Sequence, residues 1–308
     1  MECSYQVLNL AVNKDIGYNG PKVKANPYYG CEHRCLFCPA NDGFLNKKVF
    51  DDFRQVGMIR VVDNIVEHID NYISKAKEKV TVHLSPVSDP FQVAEDEFKK
   101  SLEIINYCKS NNIDIAVCTK GLISEEAFKA LSGYKNSFVQ ISLITINEKK
   151  RSFIVRGNGA SVDELLDQIK ALTRAGINTL IRVDPIFPYI TDNMEEFRQI
   201  VDIVSKIGIT CVLSSCADIC NGALAREAGY LNSYETGLSV KYNKLYTENI
   251  DGRIHAKSEY RKKLFQNMLD ICLSAGIGFG ITWEPDTNGN SLSPLFSRGS
   301  EMFLNNMK

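Results

Sequence analysis

Three cysteines crowd into eight residues of the run Asn26-Pro27-Tyr28-Tyr29-Gly30-Cys31-Glu32-His33-Arg34-Cys35-Leu36-Phe37-Cys38-Pro39. Thiolates at spacings of four and three on one short segment can converge on a soft metal centre. A structural zinc site takes four protein ligands, and the nearest further donor, His33, lies between two of the cysteines. Three cysteines suit a [4Fe-4S] cluster with one iron left open. An open iron can hold an exogenous ligand, which makes a structural cluster a reactive one. Of the ten cysteines, Cys108, Cys118 and Cys272 stand singly in apolar surroundings and read as small buried hydrophobes. Cys216 and Cys220, in Ser214-Ser215-Cys216-Ala217-Asp218-Ile219-Cys220, are four apart. On a helical turn they share a face, which leaves three readings open: auxiliary-cluster ligands, hydrogen-atom donors to a substrate radical, or core residues.

The Cys-x3-Cys-x2-Cys run, with aromatic Phe37 before its last cysteine, resembles the signature of radical S-adenosylmethionine (SAM) enzymes. The wider phrase from Asn26 to Cys38 is similar to the spore photoproduct lyase-like subgroup. The resemblance implies that Cys31, Cys35 and Cys38 hold a [4Fe-4S] cluster whose open iron chelates SAM. It also implies that an electron from the cluster splits SAM to methionine and a 5′-deoxyadenosyl radical. An electron donor such as flavodoxin or ferredoxin goes with that chemistry. Ser85-Pro86-Val87-Ser88-Asp89-Pro90-Phe91-Gln92 is similar to the subgroup's Ser/Thr-Asp-Pro-Tyr-Gln segment, which assigns Ser88 and Asp89 to the methionine end of SAM. Thr119-Lys120-Gly121 resembles its Thr-Lys-Ser, with Lys120 as a cation for the SAM carboxylate. Ser142 resembles a ribose- or carboxylate-contacting serine, and Phe37 and Arg182 complete the implied cofactor contacts. Arg182 opens a run through Asp184, Pro185 and Pro188 like the subgroup's Arg-x-x-Pro-Ile-x-Pro. Two positions depart from the pattern. Pro86 stands where the lyase carries its hydrogen-donor cysteine, and Pro39 replaces the tyrosine after the third cysteine. Thymine-dimer repair by the lyase's mechanism is therefore not expected, and Cys216 or Cys220 is the candidate replacement donor.

Elements that must carry these residues alternate between strand and helix. Apolar runs at 80–84, 113–118, 138–144, 179–183, 211–214 and 277–283 read as strands. Helical spacing marks 95–111, 124–131, 162–174, 194–206 and 258–275, with Ser124 as an N-cap and Gly176 as a C-terminal stop. Strand–helix repeats predict an α/β fold with a parallel sheet, a partial (β/α)6 barrel of the radical SAM type with room for one extra βα unit. Active residues then belong at the C-terminal ends of the strands. Residues 1–25 read as an extension, 26–308 as one catalytic domain, and 218–257 as a long irregular, lid-like insertion. Glu284, in Trp283-Glu284-Pro285, is expected at the same face as the active residues.

The 308 residues are 44% apolar and 24% charged, with a formal net charge of -1. That balance excludes a strongly basic nucleic-acid coat. The runs Lys149-Lys150-Arg151 and Arg261-Lys262-Lys263 read as solvated faces. No charged region followed by an apolar run opens the chain and no stretch is apolar enough to span a membrane, so a cytoplasmic protein is expected. Two function classes follow: a radical SAM enzyme acting on a small molecule, a peptide or a nucleic acid, or a non-catalytic iron–sulfur or zinc protein with a structural or sensing role. Ser88, Asp89, Lys120 and Ser142 at strand ends discriminate, because a structural site needs none of them.

Overall fold

The computed structural model describes residues 3–9, 22–38, 40, 57–282 and 284–300. Pro39, Asn41, Asp42 and Trp283 lie outside them, as do 10–21 of the expected N-terminal extension. The fold is α/β with a seven-stranded parallel sheet, open in its strand order from Lys22–Ala25 at one edge to Gly278–Ile281 at the other and not closed into a barrel among the described residues. No described helix is long and apolar enough to cross a membrane. Two compact units divide the chain: 1–34, 45–141 and 155–179 form the first, and 35–44, 142–154 and 180–308 the second.

In the first unit, β1 (Ser4–Leu8), β3 (Tyr28–Tyr29) and β4 (Met58–Val62) make a small sheet in the order β1-β4-β3. β2 (Lys22–Ala25) pairs with β5 (Thr81–Leu84), so a strand of the main sheet lies within the first 25 residues. β6 (Asp114–Thr119) and β7 (Ser137–Ser142) extend it. Every residue of β7 is buried, as a strand covered on both faces requires. α1 (Ile65–Ile73), α4 (Glu125–Leu131) and α6 (Val162–Arg174) are amphipathic or well capped, with Ser124 and Ser161 at the N-caps of the last two.

The helix expected over 95–111 is two helices. α2 (Ala94–Phe98) stops at Lys99, which takes φ 50°, and α3 (Lys100–Ser110) starts at once. Glu95 explains the break. Its buried carboxyl accepts the N–H groups of Ser101 and Leu102, both at 2.9 Å, and the Tyr28 hydroxyl. That hydroxyl in turn accepts from Lys100 N at 3.2 Å. Side chains thus satisfy the open N–H groups of α3, while Tyr28 packs with Ile59, Val61 and Ala94 in a small core.

In the second unit, β8 (Thr179–Ile186), β9 (Cys211–Cys216) and β13 (Gly278–Ile281) run parallel in the order β8-β9-β13. α5 (Glu148–Ile154), α7 (Met194–Ile207) and α10 (Ser258–Ser274) belong to it, and α5 had no counterpart in the sequence reading. The 218–257 span is not irregular. It carries β10 (Ile219–Cys220), α8 (Ala223–Tyr234), α9 (Leu238–Leu245), β11 (Tyr246–Ile250) and β12 (Arg253–Ala256), and its strands form a sheet in the order β10-β12-β11. α11 (Ser293–Phe296) closes the described chain. The two basic runs are not wholly solvated either: Arg151 and Arg261 are buried.

Glu95→Ala should cost about 1–3 kcal/mol, because it strands two helix N–H groups and a buried phenol. Urea unfolding checks this; a loss of a few tenths would mean that water caps α3 equally well.

Candidate active site

Asp89 organises the first unit's end of the site. The chain leaves β5 through Ser85, at φ 50°, into a turn that Pro86 and Pro90 stiffen. Asp89 is 5% exposed. Its Oδ1 accepts from Phe91 N at 3.0 Å and from the Thr119 hydroxyl at 2.6 Å. Its Oδ2 accepts from Lys120 N at 2.7 Å and faces His33 Nδ1 at 3.3 Å. Burial pushes this carboxyl up, but His33, Lys120 N and Thr119 more than offset it and hold it down at about 2.

Gln92 ties the same turn to the cysteine segment. Its amide oxygen accepts from Glu32 N at 3.0 Å, and its amide nitrogen donates to Gly30 O and Asp89 O, each at 3.2 Å. Glu32 returns the contact by accepting from Ala94 N at 3.0 Å, and takes the Tyr5 hydroxyl at 3.3 Å. From the other side, Gly157 N donates to His33 O at 2.9 Å and Asn158 N to Glu32 O at 3.1 Å. A Cβ at residue 157 would stand 1.8 Å from Glu32 O, so only glycine fits. Glu32, His33, Gln92 and Gly157 had no role in the sequence reading. The available signals were that the first two sit between the cysteines and that Gln92 ends the Ser88-Asp89-Pro90-Phe91-Gln92 segment.

Of the sequence-predicted residues, Cys31, Ser88, Asp89 and Lys120 fall in the first unit. The structure brings Asp89 to the backbone of Lys120 and leaves the buried Ser88 hydroxyl and His33 Nε2 without a hydrogen-bond partner among the described residues. Cys35, Cys38, Phe37, Ser142, Arg182, Cys216 and Cys220 fall in the second. Gly30, Arg34 and Phe37 all take positive φ, winding the cysteine segment tightly, and Cys38 N donates to Cys35 O at 3.3 Å. Among the described residues, no three His, Cys, Asp or Glu side chains converge on a single ion. A [4Fe-4S] cluster does not require that, since each thiolate takes a different iron. Soft donors at these spacings fit the cluster, and two orphaned polar atoms on the Asp89 clamp fit a polar ligand beside it.

In the second unit, Arg182 pairs with Asp184, which also accepts from the Ser215 hydroxyl. Ser142 is buried. Cys216 closes β9, and Cys220 lies on β10, so the two do not share a helical turn. Their separation is a strand end followed by a bend, which spacing alone could not tell from a helix. Cys220 Sγ accepts from Arg253 Nη1 at 3.4 Å. Cys216 N donates to the Glu284 carboxyl, whose other oxygen takes Arg261 Nη1 at 2.9 Å. Arg261 is 0% exposed, and its remaining N–H groups reach Pro285 O, Ala256 O, Glu248 and the Ser258 hydroxyl. Burial pushes Glu284 up to about 7, against the pull of Arg261 and Cys216 N. Burial and the Glu284 charge also raise the Cys216 thiol, which keeps its hydrogen. Beside it Tyr246 stacks on Tyr242, rings parallel at 5.2 Å, and Phe37 lies 5.9 Å from Tyr242.

The family model for the radical SAM superfamily matches residues 25–204, more than half of the chain. This protein belongs to the radical SAM superfamily. Curated relatives span its length unevenly. A protein of Pseudomonas phage M6 named radical SAM Nα-GlyT isomerase is 27% identical over 262 residues, 78% of this chain and 51% of that protein. An uncharacterized protein of Methanocaldococcus jannaschii is 24% identical over 198 residues, 62% of this chain and 72% of that one. This radical SAM chain thus spans about half the length of the phage relative. A solved double mutant of spore photoproduct lyase, with bound AdoMet and dinucleoside spore photoproduct, superposes with a TM-score of 0.67 at 15% identity. The match covers 90% of this chain and 81% of that one, and it shows a shared fold.

Two outcomes follow from the clamp. Gly157→Ala should destabilise the protein by about 1–3 kcal/mol, since backbone meets backbone and neither can yield cheaply; an unchanged thermal midpoint would refute the contact. Asp89 has a folded value below its ordinary 3.8, so its contribution is whole above 3.8 and lost as the pH falls towards 2. The stability gap between wild type and Asp89→Asn, from urea unfolding at stepped pH, should therefore narrow as the pH falls. A gap that stays constant would assign it to packing.

Proposed function

We propose that this protein is a radical SAM enzyme whose Cys31, Cys35 and Cys38 hold a [4Fe-4S] cluster. The observation that carries the reading is the Asp89 clamp, which ties the cysteine segment to the ends of β5 and β6 while leaving the Ser88 hydroxyl and His33 Nε2 without a partner among the described residues. When bound, the cluster with SAM on its open iron supplies the electron that splits SAM to methionine and a 5′-deoxyadenosyl radical, which takes hydrogen from substrate carbon. Asp89 spends its oxygens on the protein and so positions Ser88 and Lys120, the groups proposed to meet the methionine end. Phe37, Ser142 and Arg182 are the remaining proposed cofactor contacts. The Asp184 carboxylate already neutralises Arg182, so it needs no ligand charge to be stable.

Cys216 is the proposed hydrogen donor to the substrate radical in place of the thiol that Pro86 removes, with Cys220 the second candidate. A buried neutral thiol suits the role, because the atom transferred is hydrogen and a thiolate has none to give. Residues 218–257 are the proposed substrate-side cover. A nucleic-acid component is the substrate class put to the test here, since a solved protein of the same fold holds a dinucleoside spore photoproduct. Flavodoxin or ferredoxin in the cytoplasm is the proposed electron source.

Anaerobic reconstitution should load about four irons and four sulfides per chain, and a triple Cys→Ala variant none. With dithionite and SAM the loaded protein should release 5′-deoxyadenosine; a protein that keeps its cluster and never does so is the structural or sensing one. Given a thymidine-containing oligonucleotide that is turned over in D2O, Cys216→Ala should lose deuterium incorporation into product. Retained labelling would return Cys216 to the core.

A further inference from the structure

Two tyrosines near Cys216 spend their hydroxyls within the protein. Tyr246 donates to Ala217 O at 2.7 Å, and Tyr260 to Asp192 Oδ2 at 2.6 Å. Tyr242, on α9, differs. It is 0% exposed, and its hydroxyl has no hydrogen-bond partner among the described residues. A hydroxyl taken out of water and left unbonded is costly. Phenylalanine would fill the same space without that cost, so the oxygen needs a use outside the free protein.

The Tyr242 ring joins the two ends of the proposed chemistry. Phe37, a proposed cofactor contact, lies 5.9 Å from it. Tyr246 stacks on it at 5.2 Å and itself meets the thiol of Cys216, the proposed hydrogen donor. A third ring, Tyr189, lies 6.0 Å away. Of these three neighbours only Tyr189 reaches solvent, at 38% exposed, so a ligand from solvent meets that ring first. Tyr189 takes φ 66°, where a bulky side chain is strained, and such strain collects at ligand sites. Aromatic walls around one polar group fit a planar ring with polar atoms on its edge. A phenol both donates and accepts, so it can meet a carbonyl or an amine on that edge. We infer that Tyr242 is a substrate-binding residue whose hydroxyl bonds the polar edge of a planar substrate ring, such as a pyrimidine base, entering past Tyr189. The inference rests on the proposed radical chemistry and its nucleic-acid substrate class, and adds to them the group that reads the base.

Tyr242→Phe removes the oxygen and keeps the ring, which separates a structural use of the hydroxyl from a substrate-binding one. In the reconstituted protein without substrate, the thermal midpoint of the variant should equal or exceed that of wild type. A lower midpoint would give the hydroxyl a partner in the free protein, a bound water included, and overturn the inference. With SAM present, equilibrium dialysis of a short thymidine oligonucleotide should show about a ten-fold weaker Kd in the variant, as the loss of one hydrogen bond gives. An oligonucleotide with abasic sites in place of its thymidines should bind both proteins alike. The same loss on that probe would show that no base is read, and equal affinities for the thymidine probe would overturn the inference alone. Wild type that releases 5′-deoxyadenosine and binds neither probe would overturn the substrate class and the inference with it. Wild type that releases none would overturn the radical reading on which both rest.

Discussion

One buried carboxylate sets the geometry on which the first unit's share of the site depends. Asp89 draws donors from its own turn, from the end of β6 and from the cysteine segment, three parts of the chain that it joins at one side chain. Burying an ion is costly unless its lone pairs are filled. Here four donors fill them and hold the carboxyl ionised down to about pH 2. The price of removing one donor is correspondingly high, since a charge left short of partners in a dry place repels the fold around it. The clamp is stiff because it is overdetermined: Gln92 and Glu32 bind the same two segments again in opposite senses.

The second unit follows the same rule with the sign reversed. Arg261 is a buried cation whose guanidinium spends all five N–H groups on Ala256 O, Pro285 O, Glu284, Glu248 and Ser258. Only a planar fork reaches five acceptors at once, and lysine at this position could not. Through Glu284 the fork holds the end of β9 by the backbone of Cys216, and through Glu248 it anchors β11 to the start of α10. The thiol of Cys216 is therefore placed by charges it does not touch directly.

Much of the architecture was legible because its signals are local. Alternating apolar runs gave β5 to β9, a serine cap placed the start of α4, and helical spacing gave the bounds of α6. The cysteine triplet announced itself by spacing. What escaped was set by contacts distant in sequence. Lys99 breaks a helix whose periodicity continues through it, since the capping groups are a tyrosine 72 residues before Lys100 and a glutamate's side chain. Arg261 heads a basic run that reads as solvent-facing, and its partner Glu284 comes 23 residues later. Cys216 and Cys220 have a spacing that helix and strand–bend–strand share. Asp89 was singled out, but whether its oxygens face a ligand or the protein is decided by Thr119, Lys120 and His33.

The bond from Gly157 to the cysteine segment has a consequence for how the protein is made. Residues 31–38 leave the ribosome well before residues 157–158, yet the carbonyls of Glu32 and His33 find their donors only at Asn158 and Gly157. At ordinary elongation rates the delay is on the order of ten seconds. Until then the three thiols belong to a segment that lacks its brace, exposed to oxidation and to adventitious metals. The cysteine segment of such a nascent chain gains its brace only after the segment around residue 157 has been synthesised and folded back. Maturation of the site is thus a matter of order in time as well as of ligands in space.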